Sequence, residues 1–273
     1  MTFSKLIPVI MFLSVIFSHA FSEQMLQPRR LVDAHTAGVL PRASFDFDSR
    51  IFSADSNLGA GIIMGIAVGI TNRLNIGISY GGEGLVGRGR HTRFNSLPGW
   101  LLKYRIFEES FGGPGVAFGY DHQGYGGIAD TTEFEYKGYI YKSPGFFLAI
   151  SKNYLLFSKV QFGLHTAVNY SMEDFKNVKW PNVYAGTDLS INEELAIVFE
   201  YDFGFNIKDY TPGEHTIYAD PRKGYLNSGI RWAFSPNFFI EFDAKDLLEN
   251  RKRKNGSTLG WSRELKFVYF TYF

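Results

Sequence analysis

Apolar and polar residues alternate one by one along most of this chain. Between Leu195 and Asn206, one face collects Leu195, Ile197, Phe199, Tyr201, Phe203 and Phe205, and the other Ala196, Val198, Glu200, Asp202, Gly204 and Asn206. A period of two belongs to extended strands, whose successive side chains point to opposite sides. Phe238, Ile240, Phe242 and Ala244 alternate likewise with Glu241, Asp243 and Lys245. Val160, Phe162, Leu164, Thr166, Val168 and Tyr170 alternate with Lys159, Gln161, Gly163, His165, Ala167 and Asn169. Large aromatics crowd the apolar faces of nearly every such segment. A soluble antiparallel sheet would need a very large shared core to cover them all. Hydrocarbon outside and a polar interior would satisfy both faces at once.

The pattern predicts strands near Ala43–Ile51, Leu58–Ile70, Leu74–Gly81, Gly99–Phe107, Gly115–Gln123 and Gly145–Ser151. Further strands follow near Leu156–Tyr170, Asn182–Ser190, Leu195–Asn206, Gly224–Phe234, Phe238–Lys245 and Arg263–Phe273. The connections alternate in length. Thr71-Asn72-Arg73, Phe111-Gly112-Gly113-Pro114, Lys152-Asn153-Tyr154, Asn192-Glu193 and Ser235-Pro236-Asn237 are short. Gly82 to Pro98, Gly124 to Pro144, Ser171 to Pro181, Ile207 to Lys223 and Asp246 to Ser262 are long. An even-stranded up-and-down barrel sorts its connections this way, with short turns on one membrane side and long loops on the other. A soluble sandwich has no reason to do so. The predicted fold is therefore all-β: an antiparallel up-and-down transmembrane β-barrel of about 12 strands with periplasmic termini. The four Trp residues fall near strand ends, as indole rings at a membrane–water interface would.

The N-terminus reads as an export signal. Lys5 supplies a positive charge, Leu6 to Phe17 an apolar core, and Ser18-His19-Ala20 a small-residue cleavage site. The apolar run is too short for a membrane helix, which needs about 20 residues. Expected divisions are a signal peptide over 1–20, a periplasmic segment over 21–37 and the barrel over 38–273. The chain has no cysteine, which excludes a lipid-anchored lipoprotein, disulfides, thiolate metal sites and cysteine nucleophiles. A net charge of +1 argues against a nucleic-acid partner.

The terminal segment, Arg263 to Phe273, ends on an aromatic with Leu265, Phe267 and Tyr269 on the same face. It resembles the last strand of Gram-negative outer-membrane barrels, although Thr271 stands where the usual pattern has an apolar residue. That resemblance implies the bacterial outer membrane as location. The expected partners there are membrane lipid, lipopolysaccharide and the barrel-assembly machinery.

The inward faces would gather Asp46, Asp48, Arg50, Lys103, Arg105, Asp121, Lys159, Asp188, Glu200, Asp202, Arg231, Glu241, Asp243, Lys245, Glu264 and Lys266. Charges inside a closed barrel must be paired or hydrated. Either ion pairs fill the lumen, or a water-filled channel runs past charged walls. Inward glycines, among them Gly65, Gly69, Gly163, Gly186 and Gly229, relieve strand strain or give an infolded segment room to lie against the wall.

Little points to catalysis, and no cofactor or metal ligand set stands out. His165 is inward, but spacing gives it no evident acidic partner, and Ser171 lies past the end of its strand. His122 and Asp121 fall on opposite faces. Arg251-Lys252-Arg253-Lys254 reads as a solvated loop tip, with lipopolysaccharide phosphates as the alternative contact. A non-enzymatic protein is expected.

Four short stretches are similar to YjbH-like outer-membrane proteins associated with exopolysaccharide production. They are Thr36–Arg42, Leu102–Arg105, Gly119–Gly124 and Gly224–Gly229. The resemblance implies a single-barrel relative that assists polysaccharide secretion or envelope assembly, with polysaccharide export components as partners. The alternatives are a narrow porin-like channel for small solutes and an outer-membrane lipid-modifying enzyme.

Overall fold

Backbone hydrogen bonds join the first strand to the last, and this closure leaves the ring of twelve strands without a free edge. The computed structural model describes residues 28–53, 60–87, 92–95, 97–129, 136–156, 160–172, 181–205, 217–219, 223–253 and 256–273. The strands are β1 Ser44–Ser53, β2 Ala60–Gly69, β3 Leu74–Val86, β4 Arg93–Phe94, β5 Gly99–Phe107 and β6 Gly115–Asp121. Next come β7 Tyr125–Ala129, β8 Tyr136–Lys142, β9 Gly145–Leu156, β10 Val160–Ser171, β11 Asn182–Ser190 and β12 Leu195–Asp202. The series ends with β13 Ile217–Ala219, β14 Tyr225–Ser235, β15 Phe238–Lys245, β16 Arg251–Arg253 and β17 Ser262–Tyr272.

Twelve of these form a closed antiparallel barrel. Its order is β2-β1-β17-β15-β14-β12-β11-β10-β9-β6-β5-β3, and β2 pairs with β3 to close it. Each strand neighbours the barrel strand before and after it, which is the up-and-down arrangement. β1 and β17 pair from Ser44↔Tyr272 to Phe52↔Glu264. The short turns gather at one end with Ser44 and Tyr272, and the long connections gather at the other. No helix among the described residues is long and apolar enough to cross a membrane.

The barrel's faces are inverted relative to a soluble protein. Met64, Ile78, Trp100, Leu102, Leu164, Phe199, Ile230 and Phe242 are all exposed on the outside. Asn75, Lys103, Glu200, Asp243, Glu264 and Lys266 are buried. In water such an exterior would be a severe liability; in hydrocarbon it is the solvated face, and closure satisfies the backbone groups. Trp100, Trp232 and Trp261 are each about half exposed near strand ends, while Trp180 lies outside the described residues.

Three features differ from expectation. The Lys152-Asn153-Tyr154 turn is strand: β9 pairs on through Lys152↔Leu164 and Asn153↔Gly163 to Leu156↔Val160. Asn153 is polar because its N–H and side-chain amide both bind Glu109, at 2.7 and 2.6 Å, and not because the chain turns there. The Gly124–Pro144 connection contains the β7–β8 hairpin, and the last two long connections meet through a β13–β16 pair. Finally, residues 28–37, part of the stretch assigned to a periplasmic segment, lie inside the barrel.

Candidate functional site: a plugged lumen

Twelve strands spaced about 4.8 Å apart and tilted by about 40° put the backbone wall at a radius of roughly 12 Å. After wall side chains, such a bore leaves space about the thickness of one β-layer. The N-terminal segment takes that space as a hairpin. Leu31 N–H donates to Ala34 O (2.9 Å) and Thr36 N–H to Arg29 O (3.1 Å), and Arg30 bridges to His35. The tip, Val32-Asp33-Ala34, points toward the long-loop end, and the return arm reaches the turn end at Ala43.

The wall holds this plug from all sides. Glu200 Oε2 accepts the N–H groups of both Asp33 and Ala34 at 2.8 Å, and Glu200 Oε1 accepts from Asn227. Lys245 Nζ lies 2.8 Å from Asp33 Oδ1. Lys266 Nζ donates to Val32 O (2.8 Å) and Lys103 Nζ to Arg29 O (3.1 Å). Asp121 takes Arg30 Nη2 at 2.8 Å and His35 Nε2 at 2.9 Å, and Asp46 pairs with Arg29. Further down, Asn75 accepts from Leu40 N–H and donates back to Leu40 O. Apolar contacts add to these: Leu31 and Val32 against Val198, Ala34 with Leu101, Phe147, Ala149, Ala167 and Tyr184, Leu40 with Ala67 and Phe270, and His35 stacked on Phe147 at 3.8 Å. At its tip and along both arms the plug also meets the wall through hydrogen bonds and ion pairs, made by groups that water can satisfy.

Glycine makes the fit possible at two kinds of place. A Cβ on Gly69 would lie 1.9 Å from Pro41 O, so only glycine lets the plug's neck cross β2. At Gly65, Gly163 and Gly229 a Cβ would strike the carboxylates of Asp48, Asp188 and Asp243. Each of these aspartates is the glycine's direct cross-strand partner. The missing side chain lets the acid lie flat over its neighbour strand.

Of the sixteen residues expected to be inward, fifteen lie among the described residues. Asp46, Asp48, Arg50, Asp121, Glu241, Asp243, Lys245, Glu264 and Lys266 join ion pairs within the lumen. Arg231 binds Glu241, and its Nη2 donates to Arg30 O. Lys103 and Glu200 hold plug backbone, and Asp202 binds Asn182 at 2.6 Å. Asp188 binds His165, and Arg105 stays at the turn end with Glu108. Lys159 lies outside the described residues.

His165 does have an acidic partner, contrary to expectation. Its Nε2 lies 2.5 Å from Asp188 Oδ1 and its Nδ1 lies 2.7 Å from Ser151 Oγ. Register creates the cluster: Ser151 is directly opposite His165, and Asp188 sits across from Gly163. Ser151 Oγ also accepts the Ala37 N–H at 2.8 Å. Its proton then points to His165 Nδ1, and Nε2–H points to Asp188. The constellation has the polarity of a nucleophile–base–acid relay. However, the plug covers it, and the cavity found in the lumen does not border it. Here Ser151 serves as an anchor for the plug. Arg251 likewise departs from the solvated loop tip expected of its basic run: it is buried against Asp246 and the ring of Tyr225.

A cavity of about 140 Å³ remains beside Pro28–Leu31, bounded by β1, β2, β3, β5 and β6, by the base of the β7–β8 hairpin, and by β14, β15 and β17. Arg29, Arg30, Asp46, Asp48, Arg50 and Asp121 border it. It has room for several waters.

No protein-family model matches the chain, and no curated protein matches it. Among solved structures it is similar to the KdgM porin, at 9% identity over 83% of this chain and 98% of that one, with a TM-score of 0.43. It is similar to the NanC porin at 8% identity, over 83% and 99%, with a TM-score of 0.44. An outer-membrane channel from Pseudomonas putida F1 gives 13% identity over 88% and 100%, with a TM-score of 0.41. Likenesses this loose bear on neither solute nor mechanism, and none of the three bears on the YjbH-like resemblance.

Proposed function

We propose that this protein is a narrow outer-membrane channel for small solutes, held closed by its own N-terminal hairpin. One observation carries the reading: the lumen is polar, and what fills it is a separate segment attached by polar contacts. A barrel filled only for rigidity can close with wall-to-wall packing. A segment anchored by groups that water can replace is one that can leave. On this reading residues 1–20 are removed on export, and membrane lipid and lipopolysaccharide surround the barrel. The role in polysaccharide secretion rests only on the short stretches similar to YjbH-like proteins, and no feature of the lumen favours it over passage of small solutes.

Planar-bilayer recordings test the proposal. The refolded mature chain should give rare or small current steps. A variant lacking residues 28–37 should give a steady ohmic conductance. A variant that migrates as a folded, heat-modifiable barrel yet passes no current would refute the channel reading.

A further inference from the structure

The plug is held from the loop end as well as from the wall. Tyr125, at the start of β7, is 3% exposed and lies in a cluster with Phe52 and Ile63 of the wall. Its hydroxyl donates to Asp33 of the plug tip and accepts from Lys245 Nζ, with Glu264 Oε2 3.1 Å away. Lys245 Nζ also sits 4.6 Å from the centre of the Tyr125 ring. Across the base of the hairpin, paired with Tyr125, Lys142 donates through Nζ to Asp121 Oδ2 (2.6 Å) and to Gln123 O (2.8 Å). That same carboxylate oxygen binds Arg30 and His35 of the plug. Two anchor points therefore each join three parts of the molecule: outer hairpin, plug and barrel wall.

We infer that the β7–β8 hairpin and the N-terminal plug form one interlocked gate, with Tyr125 as the latch. Lifting the hairpin from outside withdraws the phenol from Asp33 and uncovers the plug tip. Lys245 then loses the oxygen that helps aim it at Asp33. Coupling between two elements is reciprocal, so displacement of the plug loosens the hairpin in turn. The gate takes its purpose from the channel reading, but plug exposure can be measured without any current.

The chain has no cysteine, so one introduced thiol is a clean probe. Val32→Cys places it on the fully buried tip residue. Maleimide labelling of the folded barrel in phospholipid vesicles then reports how often the tip is uncovered. Labelling should be slow with Tyr125 present. It should speed up about tenfold with Tyr125→Phe, the loss expected for one hydrogen bond to a charged group, and further with Tyr125→Ala. Tyr125→Phe combined with Asp33→Ala should speed labelling by less than the product of the two single effects, because the two changes share the Tyr125–Asp33 hydrogen bond. Unchanged labelling in both Tyr125 variants, with heat-modifiable migration intact, overturns the interlock. Faster labelling upholds it even where the plug-deleted barrel passes no current, a result that refutes only the channel reading.

Discussion

Replacing Phe199 by arginine tests which side of the wall meets hydrocarbon. Phe199 is 45% exposed and lies between Thr187 of β11 and Ser228 of β14. Leu195, opposite the interfacial Trp232, marks the turn-side boundary of the strand. Four steps of about 3.3 Å at a tilt of about 40° raise Phe199 by roughly 10 Å above it. An outer-membrane apolar band is about 25 Å tall, so this position is close to the midplane, where arginine costs about 2–4 kcal/mol. The preceding residue, Val198, is fully buried against Leu31 and Val32 of the plug. Val198→Arg forces a guanidinium into that contact and should cost several kcal/mol as long as the plug stays. In a variant lacking residues 28–37 the same arginine meets water, and its penalty should fall below about 1 kcal/mol, whereas that of Phe199→Arg should not change. Guanidinium chloride titrations of barrels folded into lipid vesicles, followed through the four Trp residues, measure all four cases. A Phe199→Arg barrel within about 0.5 kcal/mol of the parent, the usual range of inert surface changes, would refute the assignment of this face to lipid.

Two other substitutions probe the lumen. Gly163→Ala places a Cβ 2.1 Å from Asp188 Oδ1 and 2.5 Å from His165 Nε2, and should lower stability by about 1–3 kcal/mol; Gly112→Ala, with nothing within 4 Å, should be neutral in the same guanidinium chloride titrations. Glu200→Ala leaves the Asp33 and Ala34 N–H groups without their acceptor, at about 1–3 kcal/mol for each unsatisfied group. Hydrogen exchange at those amides should accelerate strongly in Glu200→Ala and much less in Glu200→Gln, which keeps an acceptor; equal exchange in both would show that the plug tip does not depend on this side chain.

The strand pattern, its sidedness and the sorting of short and long connections were legible in the chain because each is local. A period of two assigns Glu200 and Phe199 to opposite faces whatever lies across the sheet. Closure into a barrel then follows from having apolar faces too extensive for one buried core. What fills the barrel could not be read in this way. Asp33 meets Lys245 across 212 positions, and His35 meets Asp121 across 86. The Ser151–His165–Asp188 cluster exists only because of strand register, and Gly163 looks like any strand glycine until Asp188 is seen opposite it. Local alternation tells a side chain which way to point, but only the closed sheet and its register decide which distant group waits there. For this protein, that group is repeatedly the chain's own N-terminal hairpin.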